Sequence, residues 1–429
     1  MIIKRDILKV LEGFLDKREY LAVVGPRQSG KTVLFGMINS MLSTRGRKTA
    51  YVTFEDRMAL KQFSAAPVEF IRSLIDEKVR PSYILIDEFQ YVKNGGSGLK
   101  LIYDTMPDLK ILVTGSSSLD IRTQAGKYMV GRMLTFNLYP FNFGEFLLAN
   151  DVRLRRLYEH GSQILRDFLL TGRKAEIKQD EDPFFCEISA KFSEYAVWGG
   201  YPAVVLEKNR DKKIKILTEI QNNYILKDIK GLLALATDER LMSLAEFLSA
   251  QAGGIINYNN LSSLTGIDFR ALKKYIKILE ETFICCTVRP FFTSKIKELS
   301  KAPKIYFIDN GFRNSLIDDM RPAEKRQDMG ALIENYVYRR LLEITEGIHP
   351  IYYWRTKAGA EVDFVVKADG QEIPIEVKYS MFKENTLTRS YVNFIENFKP
   401  ERGLVLTKNY WGIKRIKNTR VLFAPVYYL

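Results

Sequence analysis

The stretch YLAVVGPRQSGKT, residues 20–32, is a five-residue apolar run followed by the pattern G-x-x-x-x-G-K-T. The apolar run predicts a buried strand, and the amphipathic segment VLFGMINSML that follows predicts a helix. A glycine-rich turn between a strand and a helix lets backbone N–H groups surround nucleotide phosphates at the positive end of the helix dipole. A turn of this composition without a phosphate is the alternative, and the flanking strand and helix argue against it. The sequence therefore predicts a nucleotide-binding P-loop.

The residues of this loop have predicted roles in holding ATP with Mg²⁺. The Lys31 ammonium neutralises phosphate charge, and the Thr32 hydroxyl is offered to the metal ion. The predicted nucleotide-binding residues are Gly25, Pro26, Arg27, Gln28, Ser29, Gly30, Lys31, Thr32 and Val33.

A second apolar strand, residues 83–86, ends in two carboxylates, Asp87 and Glu88. Doubly wound sheets bind their ligands at the carboxyl ends of the strands. Asp87 is therefore predicted to hold Mg²⁺ through its water shell, and Glu88 to polarise the water that attacks the γ-phosphate. The alternative is a strand that ends in a solvated acidic turn.

A third strand, residues 110–115, runs into a series of serines. Thr114 or Ser116 is the predicted γ-phosphate sensor, although serines there can equally cap the next helix. Strands near residues 20, 50, 83 and 111 alternate with helical segments, which is typical of a parallel sheet in an α/β fold. The predicted fold class is therefore α/β, with a P-loop ATPase core over residues 1–150.

The order of these motifs resembles that of the AAA+ ATPases. More narrowly, the chain resembles a prokaryotic ATPase family in which this core is fused to a C-terminal domain of uncharacterised function. The matching motifs cover most of the chain: GPRQSGKT, LIDEFQ, VTGSSS, the Gly131-Arg132 pair, YPFNFGEFL, WGGYPAVV, PKIYFIDNG, EVDFVV and IPIEVK. The resemblance implies a homo-oligomer in which an arginine from a neighbouring subunit completes the site. Arg132 is the first candidate and Arg122 the second, and the alternative for each is an ordinary surface arginine.

The middle of the chain predicts two further regions. Residues 151–250 are first charge-rich and then helical in their apolar spacing, which predicts a helical lid with a polar insertion. Within them, Trp198-Gly-Gly-Tyr-Pro202 predicts the end of a helix, with a hinge or a nucleotide-proximal turn as the alternatives. Residues 251–320 have the helix caps and the intervening turn that are typical of a winged helix-turn-helix. Asn259 or Asn260 caps one helix, and Asp268 caps the next.

The second helix of that motif has a basic face opposite an apolar stripe. Together with a basic loop over residues 293–304, it predicts contact with DNA, mainly through phosphates and without a base code. A solvated basic face that touches only other domains is the alternative. The predicted DNA-binding residues are Arg270, Lys273, Lys274 and Lys277.

Residues 321–429 contain a long helix followed by short strands. The Glu334 carboxylate leans toward a partly apolar face and therefore requires a cation. With Asp363 and the Glu376-x-Lys378 pair on a predicted hairpin, this arrangement resembles the PD-(D/E)xK nuclease fold. The resemblance implies that Asp363 and Glu376 bind Mg²⁺ or Mn²⁺, and that Glu334 completes or orients the metal shell. It also implies that Lys378 aligns or deprotonates the attacking water or stabilises the charged transition state. The alternative is a nuclease-derived scaffold whose charges form a salt-bridged cluster or a partner interface.

Composition narrows the class of protein. The 429 residues contain 65 Lys and Arg against 51 Asp and Glu, which gives a net charge of +14. This charge fits a protein that binds a polyanion and a merely basic soluble protein equally well. Three cysteines exclude a disulfide framework and fit a reducing cytosol. No apolar run is long enough to span a membrane, and the first residues do not resemble a signal peptide. The sequence therefore predicts a cytoplasmic protein that makes no membrane contact.

Together these features predict a Mg²⁺-dependent AAA+ protein that hydrolyses ATP and acts on DNA. Its C-terminal domain is predicted to be PD-(D/E)xK-like, with nuclease activity left open. The alternative function is an ATP-driven signalling switch, in which that domain is a non-catalytic module that binds protein or DNA.

Overall fold

The computed structural model describes residues 2–75, 82–116, 128–173, 177, 179–223 and 238–429. The chain divides into two compact units. The first comprises Met1–Phe141 with Ile278–Ile284, and the second comprises Asn142–Lys277 with Cys285–Leu429. The second unit therefore holds most residues of all three regions predicted to follow the ATPase core.

The first unit is built on a five-stranded sheet in the order β2-β3-β4-β1-β5, in which all neighbouring strands are parallel. The predicted P-loop parallel sheet is thus confirmed. The strands are β1 (Tyr20–Val24), β2 (Lys48–Thr53), β3 (Ser82–Asp87), β4 (Leu109–Gly115) and β5 (Met133–Asn137). The helices are α1 (Ile7–Glu12), α2 (Lys31–Thr44), α3 (Arg57–Ala65), α4 (Pro67–Leu74) and α5 (Gly95–Thr105), with a short 3₁₀ turn at Phe89–Tyr91.

Burial separates the interior strands of this sheet from its edge strands. Every residue of β1, β3 and β4 is buried, so these strands are the long apolar runs expected of a parallel sheet covered on both faces. Leu34, Phe35 and Ile38 of α2 pack into the same core as Leu21 of β1. By contrast, the two edge strands, β2 and β5, are half-buried or exposed. The sequence predicts β2, near residue 50, but not β5.

The second unit begins with helices, as predicted for the middle of the chain. They are α6 (Phe143–Asn150), α7 (Val152–Thr171), α8 (Phe185–Trp198), α9 (Pro202–Leu206), α10 (Arg210–Asn222), α11 (Asp238–Ala250), α12 (Tyr258–Thr265) and α13 (Phe269–Glu281), whose last four residues belong to the first unit. Those that follow are α14 (Lys295–Ser300), α15 (Asn310–Leu316), α16 (Met329–Ile344) and α17 (Arg389–Phe398), with 3₁₀ turns at Ala323–Lys325 and Val426–Tyr428.

Two sheets complete this unit. An antiparallel pair consists of β7 (Cys285–Val288) and β8 (Lys304–Phe307). A seven-stranded mixed sheet has the order β6-β13-β14-β12-β11-β10-β9. Its strands are β6 (Asp180–Glu181), β9 (Ile351–Arg355), β10 (Glu361–Ala368), β11 (Gln371–Val377), β12 (Arg402–Thr407), β13 (Tyr410–Ile416) and β14 (Thr419–Pro425). A separate C-terminal α/β region is thereby confirmed.

Pro374 lies in an interior strand, whereas a proline in a strand favours an edge or a strand start. It belongs to β11, which pairs with β10 on one side and β12 on the other. Gly403 of β12 makes room for the ring, because a Cβ at position 403 would lie 3.2 Å from Pro374 Cγ. The Pro374 carbonyl also accepts a hydrogen bond of 3.0 Å from the Tyr391 hydroxyl.

Buried polar side chains connect the helices of this unit. The Asn310 amide donates to the Ala196 carbonyl of α8 and the Leu332 carbonyl of α16, both at 3.1 Å. The Asn335 amide donates to Asn310 Oδ1 at 2.7 Å and to the Phe307 carbonyl of β8 at 2.9 Å. Such groups are costly to bury without partners, so the network fixes α8, α15, α16 and β8 in one arrangement.

The turn after α8 fits closely against α15. Gly199 ends α8 with a φ of 71°, which confirms the predicted helix termination. The Gly200 N–H donates to Asp309 Oδ2 at 2.7 Å. A Cβ at Gly311 would lie 2.0 Å from the Trp198 carbonyl oxygen, so only glycine fits there.

We expect Gly311→Ala to destabilise the second unit by about 1–3 kcal/mol or more, because the added methyl group meets backbone that cannot move aside. Thermal unfolding followed by tryptophan fluorescence measures this, since all three tryptophans lie in this unit, at positions 198, 354 and 411. Gly330→Ala is the matched control, because nothing lies within 4 Å of a Cβ at that helical position. An unchanged melting temperature for Gly311→Ala would contradict the close approach.

Candidate functional sites

The loop between β1 and α2 has the geometry of a phosphate-binding turn. Gln28 and Gly30 adopt left-handed conformations, with φ values of 59° and 93°, and Lys31 begins α2. A Cβ at Gly25 would lie 2.0 Å from the Leu138 carbonyl oxygen, so this position admits only glycine. Lys31 Nζ donates to the carbonyls of Gly25 at 3.0 Å and Pro26 at 2.9 Å, which holds the ammonium across the loop.

Arg5 supports this loop from the N-terminal segment. Its guanidinium donates to the Ser29 carbonyl at 2.7 Å and to the Tyr139 carbonyl at 2.6 Å, and lies 4.9 Å from the centre of the Phe141 ring. Arg5 is buried, so these hydrogen bonds stabilise the conformation of the loop. Arg5 could not be predicted from the sequence, because no local pattern links it to Ser29, which lies 24 residues further along the chain.

The predicted magnesium-binding residues lie together. Thr32 Oγ1 donates to Asp87 Oδ2 at 2.7 Å, and the Tyr51 hydroxyl donates to the same oxygen at 2.9 Å. Burial and the neighbouring Asp87 carboxylate raise the pKa of Tyr51, so the phenol stays protonated and remains a donor. A hydroxyl beside a carboxylate is a donor set that suits Mg²⁺, so Thr32 and Asp87 fit the ion that accompanies ATP.

Glu88 follows in a left-handed conformation with a φ of 57°, which is uncommon for a residue with a side chain. Its backbone N–H donates to Thr114 Oγ1 at 2.9 Å, and the Thr114 hydroxyl donates to Asp87. Ser116 Oγ donates to Glu88 Oε2 at 3.2 Å, and the Gln90 amide donates to the same oxygen. Thr114 and Ser116 therefore position Asp87 and Glu88, and their role as sensors stays a prediction.

Sequence reasoning missed Tyr51 and Gln90 as well as Arg5. Gln90 follows Glu88 by two residues within the quoted motif LIDEFQ, which is the signal that could have identified it. Tyr51 lies in β2, beside β3 in the sheet, and only the pairing of these two strands brings it to Asp87.

Of the two candidate arginine fingers, the structure describes Arg132 but not Arg122. Arg132 pairs with Asp104 at 3.3 Å and lies over the Tyr103 ring. It directly precedes β5, whose first residue pairs with Tyr20, so it lies at the amino edge of the sheet, whereas the P-loop lies at the carboxyl edge. The finger assignment therefore stays a prediction about a neighbouring subunit. Arg122 lies outside the described residues, as do residues 117–118 of the serine run.

The predicted basic face of α13 is present. Arg270, Lys273, Lys274 and Lys277 are all exposed. Leu272 and Ile276 are buried on the other side of the helix, as the periodicity predicts. Asp268 caps α13 by accepting hydrogen bonds from the next turn, whereas α12 is capped by Asn257 and not by Asn259 or Asn260.

The predicted basic loop over residues 293–304 differs from expectation. It contains the short helix α14, and Lys295 pairs with Glu298 at 2.5 Å. Lys304 lies in β8 and its side chain is only 4% exposed. This lysine therefore does not belong to a solvent-exposed wing.

The Glu334 carboxylate does have a cation, as its position on α16 predicts. Lys304 Nζ lies 3.1 Å from Glu334 Oε1, which also accepts a hydrogen bond of 2.5 Å from the Tyr306 hydroxyl. The same ammonium lies 2.6 Å from Glu361 Oε1. Burial raises the pKa of Glu334 to about 7, against the opposing effect of Lys304.

The other predicted metal ligands lie on β10 and β11. Asp363 Oδ2 accepts a hydrogen bond of 2.7 Å from the Val377 N–H. Both Glu376 oxygens accept from the Thr388 hydroxyl, at 2.8 and 3.0 Å, and Lys378 Nζ lies 3.3 Å from Glu376 Oε1. Burial raises the pKa of both carboxyl groups.

A divalent ion does not fit the C-terminal carboxylates in this arrangement. Within the described ranges, no three His, Cys, Asp or Glu side chains lie close enough together to hold one. The nearest cation to Glu334 is Lys304, and Glu376 is engaged by Thr388 and Lys378. The metal roles of Glu334, Asp363 and Glu376 therefore stay predictions, because the described residues contain no group of three metal-ligating side chains. Among the residues that the structure describes, no helix is long and apolar enough to cross a membrane.

Comparison with protein families identifies three regions. Residues 17–147 match the family model described as an AAA domain. Residues 189–323 and 329–427 match two models, each described as a domain of unknown function. The stretch that matches the AAA domain contains the loop from Gly25 to Thr32 and the two acids Asp87 and Glu88 described above.

Relatives from distant organisms match over nearly the whole chain. An uncharacterized protein of Haemophilus influenzae is 22% identical, and the match covers 99% of this chain and 98% of the relative. The uncharacterized protein MJ1544 of Methanocaldococcus jannaschii is 22% identical, over 97% and 87% of the two chains. The uncharacterized protein Rv2008c of Mycobacterium tuberculosis is 25% identical, over 88% and 74%.

Among solved structures, the ADP form of the Aeropyrum pernix ORC2 protein matches with a TM-score of 0.31 and 11% identity, covering 66% of this chain and 85% of that one. The AMPPCP-bound DnaA of Aquifex aeolicus matches with a TM-score of 0.24 and 15% identity, covering 64% and 86%.

Proposed function

We propose that this protein hydrolyses ATP at the loop of Gly25 to Thr32, with Mg²⁺ as the accompanying ion. The observation that carries the proposal is the hydrogen bond of 2.7 Å between Thr32 Oγ1 and Asp87 Oδ2, which unites the end of the P-loop with the end of β3. The match of residues 17–147 to an AAA domain supports it.

The chain's own residues supply most of the chemistry. Backbone N–H groups and Lys31 bind the phosphates, and Thr32 and Asp87 would hold Mg²⁺, which neutralises phosphate charge when bound. Glu88 accepts a proton as water oxygen bonds to the γ-phosphorus and the bond from that phosphorus to the β,γ-bridging oxygen breaks. Ser116 and Gln90 hold the Glu88 carboxylate in place for this step.

We propose further that ATP hydrolysis serves work on DNA, which is bound through the phosphates at the exposed basic face of α13. Four cations within eight residues on one helix face give the charge density that phosphate contacts need. The Lys273 ammonium lies 4.4 Å from the centre of the Phe269 ring, and Phe269 is itself exposed, so the face also offers apolar surface beside charge.

We expect Lys273→Ala/Lys274→Ala to weaken DNA binding and to lower the slope of log affinity against log salt by about 0.9 for each lost phosphate contact. Fluorescence anisotropy with a labelled duplex at several salt concentrations measures both quantities, and DNA-stimulated ATP hydrolysis is measured in parallel. Lys212→Ala/Lys215→Ala is the matched control, because it removes two exposed lysines from α10 and changes the net charge equally. Equal losses in the two double variants would contradict a specific DNA face on α13.

A second candidate function concerns the C-terminal region. The predicted nuclease requires a metal ion at Glu334, Asp363 and Glu376, whereas the position of Lys304 favours the alternative, in which this region is a non-catalytic module of an ATP-driven switch. A cleavage assay with Mn²⁺ and several DNA forms tests that choice. Cleavage that is lost in Asp363→Ala/Glu376→Ala would establish the nuclease and exclude the switch without catalysis.

A further inference from the structure

Lys304 lies at the centre of a buried charged cluster in the second unit. Its side chain is 4% exposed, and its Nζ lies 2.6 Å from Glu361 Oε1 and 3.1 Å from Glu334 Oε1. The Tyr306 hydroxyl donates to that same oxygen of Glu334. One ammonium therefore bridges two carboxylates that come from different elements, β10 and α16.

A buried charge is tolerated only with a counter-charge close by, because the interior solvates ions far less well than water does. Glu334 and Glu361 satisfy this requirement for Lys304, and Lys304 satisfies it for them. A divalent cation that bound the same oxygens at about 2.0–2.6 Å would have to take the place of the ammonium, and the two positive charges would repel each other. Lysine and metal ion are therefore mutually exclusive here.

The position of Lys304 is fixed by its strand. Lys304 pairs with Val288 across the β7–β8 hairpin. The segment after β7 extends to the edge of the seven-stranded sheet, where the Phe291 N–H donates to the Tyr353 carbonyl at 2.6 Å. The Tyr306 ring stacks on Tyr338 with a centroid distance of 4.6 Å. The pairing with β7 and the stacking of Tyr306 on Tyr338 therefore place the Lys304 side chain beside the two carboxylates.

We propose that Lys304 is the resident cation of the Glu334 and Glu361 carboxylates, so that the C-terminal region binds no divalent metal ion at these residues or at the neighbouring Asp363. The role of Lys304 rests on the second candidate function, the non-catalytic C-terminal module, and extends it. It does not depend on ATP hydrolysis at the P-loop. The carboxylates then serve to hold β8, α16 and β10 together.

Direct metal binding tests the proposal. The nucleotide-free Asp87→Asn variant removes the metal ligand of the ATP site, and Mn²⁺ binding is followed by water proton relaxation. We expect this protein to show no saturable Mn²⁺ site. Adding Lys304→Ala should expose the carboxylates and create a saturable Mn²⁺ site, at least about 10-fold tighter than any residual binding by the parent, since an adjacent positive charge is removed. Adding Lys301→Ala, which removes an exposed lysine three residues away, should change nothing.

Stability gives a second readout. Lys304→Ala leaves two buried carboxylates without their cation, so we expect a lower melting temperature that Mn²⁺ partly restores, whereas the melting temperature of the Asp87→Asn parent should not respond to Mn²⁺. If Lys304→Ala does not fold, the parent alone decides: a saturable Mn²⁺ site that Asp363→Asn abolishes would overturn the proposal. A folded Lys304→Ala protein that is as stable as its parent and gains no Mn²⁺ site would also overturn it.

The cleavage assay is separate from these measurements. Cleavage that depends on Asp363 and Glu376 would contradict the non-catalytic function even if Lys304→Ala behaved as expected. A failure of the Lys304 measurements in the absence of cleavage would instead leave the switch intact and remove only the role of this lysine.

Discussion

Lys31→Ala is expected to weaken ATP binding at least about 100-fold, which at micromolar nucleotide amounts to no binding. Charge-assisted hydrogen bonds contribute about 1.5–3 kcal/mol each, and the Lys31 ammonium is placed to make more than one with the phosphates. The side chain is buried and held across the loop by the Gly25 and Pro26 carbonyls, so no other residue of the loop can replace it. Isothermal titration calorimetry with Mg²⁺ and ATP measures the affinity.

Two controls make this result specific. Lys61→Ala removes an exposed lysine from α3 of the same unit and should leave ATP affinity unchanged. Because Lys31 also bonds to the loop backbone, the melting temperature of the nucleotide-free variant must be compared with that of the wild type. An Lys31→Ala protein that is folded and binds ATP with nearly wild-type affinity would remove Lys31 from the site.

The parts of the fold that could be predicted are those determined by neighbouring residues. The strand, glycine-rich turn and helix of the P-loop follow from one continuous stretch, and the acids at the end of β3 follow from another. The basic face of α13 and the cap at Asp268 are equally local. Features that depend on the position of a strand in its sheet are harder to predict. The sequence predicts the edge strand β2 but not the edge strand β5, and Pro374 lies in an interior strand although its residue type favours an edge.

The candidate sites show the same division. Sequence reasoning predicts that Glu334 needs a cation, since its helix face is partly apolar, but it cannot say which one. Lys304 is separated from Glu334 by 30 residues and from Glu361 by 57, and the sequence analysis placed it in a basic loop that contacts DNA. Only the pairing of β8 with β7 turns this lysine inward. Arg5 and Tyr51 reach the ATP site by similarly distant contacts, which no spacing rule predicts.

Glu88→Gln is expected to retain ATP binding but lower the rate of hydrolysis by about 10²–10⁴-fold, the usual contribution of a general base. The amide has nearly the shape of the carboxylate, and its oxygen can still accept the hydrogen bond from Ser116. It cannot accept a proton from the attacking water. Affinity measured by calorimetry and turnover measured by phosphate release should therefore separate in this variant, whereas Lys31→Ala should lose both.

The comparison with Asp87→Asn makes the assignment of Glu88 specific. Asp87 is bonded to Thr32, Tyr51 and Thr114, so its replacement should disturb the metal-binding end of the site and lower ATP affinity as well as turnover. Glu55→Gln, at an exposed acid that follows β2, should change neither. Glu88 owes its place to a left-handed backbone conformation and to the hydrogen bonds from Gln90 and Ser116, which aim a single carboxylate beside the phosphate site. If Glu88→Gln hydrolysed ATP at the wild-type rate, that arrangement would be structural and another group would have to accept the proton.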